Sequence, residues 1–191
     1  MAGDGSVQIR KEKTGKIHHS LEFFPDDASL IPPFAHALTK LYGVEAKTER
    51  HPHHFRLRLY SKIVVCDLLR VAKFGLLDWS VPKALLCDDD AKREWLRAYF
   101  DSEAYVCRSY IRVQSVNEPG ICGVRKLLSH FGIQSNQYTY TPKKIRWNKV
   151  YILIITKKAD RLNFLKKIGF NHKKKLTRLL SSLDDTHADV A

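Results

Sequence analysis

The 191-residue chain is poor in the residues that cross-link a small protein. It has four cysteines, Cys66, Cys87, Cys107 and Cys122, and no two of them form a C-x-x-C pair. Neither a disulfide framework nor a structural zinc site is expected, and Cys66 and Cys107 read as small apolar core residues. The glycines do not gather into a phosphate-cradling loop, and no Ser-His-Asp or Cys-His grouping stands out, so the common nucleotide-loop and nucleophilic chemistries have no carrier. Long apolar runs are also missing. The longest, VYILIIT at 150–156, is far too short to cross a bilayer, and the opening MAGDGSVQIRKEKTGK lacks the apolar stretch of a signal peptide. An intracellular, cytoplasmic and nucleoid-associated protein without a membrane partner is expected. Acidic charge is scarce as well: 20 Asp and Glu face 33 Lys and Arg, a formal net charge of +13. That excess points to a polyanionic partner, most simply nucleic acid.

What the chain does have is a repeat. GDGSV (residues 3–7) resembles SEAYV (102–106), with Asp4 matched to Glu103. LTKLYGV (38–44) resembles LLSHFGI (127–133), RLRLYSK (56–62) resembles YILIITK (151–157), and LLRVAKFGL (68–76) resembles RLNFLKKIGF (161–170). The matches keep their order at an offset of roughly 89 to 99 residues, the signature of a duplicated structural unit. The aromatic-Gly or Ile-Gly pairs read as left-handed helix ends. The pattern predicts an α+β chain of two α-β-β-α-β-β-α copies, residues 1–87 and 88–183, followed by a flexible tail, 184–191. Asp88, Asp89 or Asp90 is expected to cap the helix that opens the second copy. The first copy is expected to begin at the last turn of its own opening helix.

Alternation along the strands separates a dry face from a wet one. In RSYIRVQS, Ile111 and Val113 point one way, while Arg108, Tyr110, Arg112 and Gln114 point the other. In HHFRLRLY, Phe55, Leu57 and Leu59 oppose Arg56, Arg58 and Tyr60. Each copy thus offers an apolar face to its helices and a basic, hydrogen-bonding face to a partner. Arg and Gln suit guanine and adenine edges in a major groove, so double-stranded DNA is the expected ligand. The hairpin TPKKIRWNK adds Lys143, Lys144, Arg146 and Lys149 for phosphate contacts. HPHH (51–54) reads as a turn between strands rather than a metal cluster. HKKKLTRLLSSL (172–183) reads as an amphipathic helix with Leu176, Leu179, Leu180 and Leu183 on one side.

One stretch resists the rules. The helix in WLRAYFDSEAYV ends by placing Asp101 and Glu103 at its C-terminus, where the helix dipole disfavours carboxylates. LRAYFDSEA (96–104) resembles the signature helix of the LAGLIDADG homing endonucleases, and GDG, WSVP (79–82) and FLKKIGF (164–170) extend the resemblance over nearly the whole chain. It resembles the single-chain members, whose two pseudo-symmetric halves form a saddle on DNA. The resemblance implies that Asp4 and Glu103, ending the two signature helices, meet at the centre as catalytic and metal-binding acids holding Mg²⁺. Asp101 is then expected to pack or hydrogen-bond at the helix interface. Lys83 and Lys173 to Lys175 are candidate basic residues of the active site.

Three departures accompany the resemblance. The first signature is shortened to MAGDG, Ala104 replaces the usual closing glycine, and Trp79 stands where intein-borne relatives usually carry lysine. The implied function is sequence-specific double-strand cleavage by a monomeric, Mg²⁺-dependent endodeoxyribonuclease, with intron RNA as a further partner. The alternative is a catalytically inactive relative acting as an intron maturase or DNA-binding regulator. A ribosome-associated or RNA-binding protein of unrelated fold is the other rival, and the duplication argues against it.

Overall fold

The computed structural model describes residues 4–144 and 146–184. Residues 1–3 of the shortened first signature MAGDG and residues 185–191 of the expected tail lie outside them. The chain divides into two compact units, residues 1–75 and 76–191.

The first unit contains β1 (Gly5–Lys11), β2 (Ile17–Phe23), α1 (Ile31–Tyr42), β3 (Lys47–Arg50), β4 (Phe55–Tyr60) and α2 (Lys62–Val71). Its antiparallel sheet has the order β1-β2-β4-β3. Register places Val7 opposite Leu21 and Phe23 opposite Leu57, so every second residue faces the same core. Leu38 of α1 and Val64 and Val65 of α2 close that core from above. Pro at the first positions of α1 supplies a preset φ where no amide partner is needed. Gly43, at φ 64°, ends the helix in the left-handed conformation. Ser61 caps α2, its Oγ accepting from the Val64 amide at 3.3 Å.

The second unit contains α3 (Asp89–Glu103), β5 (Tyr105–Val106), β6 (Ile111–Ser115), α4 (Glu118–His130), β7 (Asn136–Tyr140), β8 (Val150–Ile155), α5 (Lys158–Lys167) and α6 (Lys173–Asp184). Its sheet order, β5-β6-β8-β7, repeats that of the first unit. Mixed α+β architecture with two sheets of four strands is therefore what the duplicated sequence builds. Gly132, at φ 69°, ends α4 as Gly43 ends α1. Asp88 opens α3, its Oδ1 accepting from the Ala91 amide at 2.7 Å. The segment before α3 packs on the second unit. Trp79 lies over Gly120, where an added Cβ would come within 2.6 Å of its ring, and donates from Nε1 to Ser115 Oγ at 3.3 Å. The Asn117 side chain donates to the Trp79 carbonyl.

Several local expectations are corrected. α2 stops at Val71, and Gly75 is not among the glycines of positive φ, so the Phe74-Gly75 pair is not a helix terminator. Cys66 lies on the exposed side of α2, and Cys107 is only half-buried. Of the four leucines expected on one side of α6, Leu179 is buried and Leu176 and Leu183 are half-buried, but Leu180 is 43% exposed and Ser182 is buried. Ala104 has φ −77°, extended backbone that needs no glycine.

Candidate nucleic-acid interface

The outward faces follow from register. In the first sheet, Ser6, Glu22, Arg58 and Lys47 form one row, and Gln8, Ser20 and Tyr60 another. Arg56 and Arg58 share β4, and Glu22 on β2 accepts from Arg56 Nη2 at 2.6 Å and forms an ion pair with Arg58, whose Nε lies 2.9 Å away. The guanidinium of Arg56 also lies 5.7 Å from the centre of the Phe24 ring, and that of Arg58 lies 5.6 Å from the Tyr60 ring. A single carboxylate thus holds two arginines fanned across the wet face and lowers their entropic cost of meeting a ligand. Gln8, Arg10 and Lys47 belong to this face, and the sequence reading passed over them. Counting by twos from buried Val7 through SVQIRK would have found the first two.

The second sheet is chemically different. Arg112, Ile154 and Asn136 form one row, and Gln114, Ile152 and Tyr138 the next. Tyr105 lies opposite Arg112 on the edge strand, with its ring 5.4 Å below the guanidinium. The central strand β8 is apolar on both faces, because its sequence VYILII has no alternation. Ile152 and Ile154 therefore interrupt what was expected to be a wholly polar surface. Apolar side chains on such a face are suited to thymine methyl groups. Arg108 and Tyr110 are not on β6. Both sit in the turn closed by the Cys107 amide on the Tyr110 carbonyl at 3.1 Å, and burial together with the neighbouring Cys107 thiol raises the Tyr110 pKa, the thiol's charge contributing most. The hairpin between β7 and β8 carries Lys143, Lys144, Arg146 and Lys149, with Lys144 Nζ 4.9 Å from the Trp147 ring centre.

The two acids occupy equivalent places in their units. Asp4 immediately precedes β1, and Glu103 is the last residue of α3, just before β5. Each is half-buried, and each is followed three residues later by a buried valine, Val7 or Val106. The Asp4 carbonyl accepts from the Phe24 amide at 2.8 Å, which ties it to the end of β2. Lys83 is exposed in a short 3-10 helix, Lys83–Leu85, with no side-chain partner among the described residues.

The acidic end of α3 has a tertiary explanation. Asp101 is 3% exposed, and its Oδ1 accepts from the amides of Asn171 and His172, both at 3.0 Å, at the start of α6. Burial raises its pKa, partly offset by those two amides and by Lys175. Lys175 of α6 reaches back and donates from Nζ to the carbonyls of Asp101 at 2.5 Å and Ser102 at 3.1 Å. Each helix end thus supplies the other's cap. The ammonium sits where the α3 dipole is negative and offsets the penalty of the two acids. Tyr99, one turn before Glu103, is buried between Trp79 and Trp95, and burial together with the Glu103 charge raises its pKa well above the ordinary phenol value.

Among the described residues no three His, Cys, Asp or Glu gather to hold a metal ion. The acids that end the repeat offer only hard oxygen donors and would need phosphate and water oxygens to complete a Mg²⁺ shell, which is the habit of that ion. Their chemistry fits it. No helix among the described residues is long and apolar enough to cross a membrane.

Comparison with known proteins places this arrangement. The model of the LAGLIDADG-like domain matches residues 90–169. Two curated relatives are both replication factor C small subunits. The one from Methanocaldococcus jannaschii is 30% identical over 98% of this chain, and the one from Thermococcus kodakarensis is 34% identical over 46% of it. The chain spans only 10% of the length of each. Among solved structures, mesophilic variants of the homing endonuclease I-DmoI superpose with a TM-score of 0.68 at 18% identity, covering 87% of this chain and 89% of that one. I-DmoI in complex with DNA and Mn gives 0.66 at 17% identity, covering 87% and 90%. The LAGLIDADG meganuclease I-AabMI, bound to uncleaved DNA, gives 0.57 at 12% identity, covering 96% and 87%. Residues 90–169, running from α3 through α5, thus match a LAGLIDADG-like domain, and the chain has the fold of these solved structures.

Proposed function

We propose that the chain is a homing-endonuclease-type protein that binds double-stranded DNA by sequence and cleaves it with Mg²⁺. The observation that carries this reading is the pair of sheets with one topology, each keeping an apolar face for its helices and turning arginines outward, with an acid just before its first strand. Arg56, Arg58, Arg112 and Gln114 read base edges, with Tyr110 and Arg108 at the turn beside them. Lys143, Lys144, Arg146 and Lys149 hold phosphates and set the register on the duplex. Asp4 and Glu103 each bring a carboxylate to divalent metal. When bound, the metal polarises the phosphorus, lowers the pKa of the attacking water and stabilises the leaving oxygen. Lys83, exposed ahead of α3, is an available cation for the charge that develops on phosphate. The two copies meet in sequence at residue 87, with Asp88 opening the second, while residues 76–87 fold with the second unit. The protein acts as a monomer inside the cell, on the nucleoid, with intron RNA as a further partner.

Selection of bound duplexes from a randomised pool, followed by cleavage of the selected duplex, tests this. Cleavage is expected in Mg²⁺ and not in EDTA, and Asp4→Asn or Glu103→Gln is expected to abolish it while duplex affinity stays. Specific duplex binding without cleavage would overturn the nuclease and leave a DNA-binding regulator. A preference for structured RNA over duplex would overturn the DNA reading itself.

A further inference from the structure

The second unit has a cleft of about 590 Å³ between the β5–β6 turn and α6. Arg108 stands on one wall, and Thr177, Arg178, Ser181 and Ser182 stand on the other. None of its lining residues is acidic. Behind it lies Arg161 of α5, 7% exposed. Its Nη1 donates to the Arg108 carbonyl at 2.6 Å and to Ser182 Oγ at 2.9 Å, joining the two walls. Both acceptors are neutral, and its Nε is buried without a hydrogen-bond partner among the described residues. No carboxylate among the described residues stands within ion-pairing distance of it. The neighbouring Asp160 carboxylate is engaged by the Gln134 amide at 2.8 Å.

A guanidinium withdrawn from water and given only neutral acceptors lacks the counter-charge that normally repays its desolvation. An anion in the adjoining cleft would supply it. Guanidinium forks and hydroxyls are the donors that match the oxygens of a phosphate. The volume exceeds what a bare phosphate needs and lies within the range of small-ligand sites, so there is room for the ester it belongs to. We propose that this cleft binds a phosphate ester, with Arg178 and the hydroxyls of Thr177 and Ser181 donating to its oxygens and Arg161 providing buried charge behind them. The phosphate comes either from a free ester or from a nucleic-acid backbone, and the two sources separate experimentally.

The full chain is titrated with inorganic phosphate at constant ionic strength, with chloride as the compensating salt, and its Tm is followed. A ligand that binds the native state raises Tm with concentration. The wild type is expected to show this rise, and Arg178→Gln and the double variant Arg178→Gln, Ser181→Ala are expected to lose it. Arg178 and Ser181 are exposed, so both variants should keep the wild-type circular dichroism and the wild-type Tm in chloride. Duplex binding is then measured across a salt series. If the phosphate belongs to nucleic acid, Arg178→Gln lowers the salt slope by about one. If it is a free ester, duplex binding is unchanged while the phosphate-induced shift is lost. A wild type and variants with equal phosphate response and equal duplex binding overturn the inference. A chain that binds no duplex but keeps the Arg178-dependent shift overturns the DNA reading and leaves this site standing.

Discussion

The reciprocal caps between α3 and α6 make Asp101→Ala the most informative single substitution. The change removes the acceptor for the amides of Asn171 and His172, the first partly exposed and the second buried. A hydrogen bond to a charged group contributes about 1.5–3 kcal/mol, and loss of a helix cap costs about 0.5–2 kcal/mol. Because both describe the same two amides they overlap, and the expected loss is about 2–4 kcal/mol. Asp101→Asn keeps an acceptor oxygen and removes only the charge, which burial already makes costly to hold, so about 1 kcal/mol is expected. The raised pKa means that the native state binds this proton more tightly than the unfolded chain does. Wild-type stability should therefore fall as pH rises from the ordinary carboxyl range through the raised value, and the Asn variant should be flatter there. Urea denaturation followed by far-UV circular dichroism gives the free energies, and amide exchange at residues 171 and 172 reports the local opening. An Ala variant within about 1 kcal/mol of wild type, or an Asn variant as unstable as Ala, would refute the capping account.

Three further outcomes are expected. Gly120→Ala should destabilise by about 1–3 kcal/mol and change tryptophan fluorescence, since its methyl would strike the Trp79 ring; unchanged urea curves would contradict that packing. Arg112→Ala should relax base preference at one position by about 1–3 kcal/mol, whereas Lys144→Ala should weaken binding to all duplexes alike, and interchanged results in a mismatch series would reverse the assignment. The Asp89 carboxyl, held below its ordinary pKa first by His130 and then by Lys92, should titrate higher in His130→Ala. The contact it makes between α3 and α4 should be present above the ordinary Asp pKa and fade as pH falls through the depressed one, as carboxyl carbon chemical shifts would report.

The sequence by itself determined the duplication, the two-sheet architecture and the dry and wet faces of β4 and β6. Those depend on local periodicity, and a side chain two residues along a strand necessarily returns to the same face. It also marked Asp4 and Glu103 as equivalent positions, and Gly43 and Gly132 as helix ends, because a left-handed residue is a local need that glycine meets. It misplaced Arg108 and Tyr110, because alternation continues through RSYIRVQS while the β5–β6 turn consumes its first residues. Only tertiary structure decided what the acids at the end of α3 do. Asp101 meets amides seventy residues away in sequence, and Lys175 meets the carbonyls of that same turn from α6. Likewise, nothing near Glu22 in sequence announces that it will hold Arg56 and Arg58, and nothing near Trp79 announces the bare helix at Gly120. Such pairings depend on which elements the hydrophobic core brings side by side, and a residue's own neighbours in the chain carry no record of that.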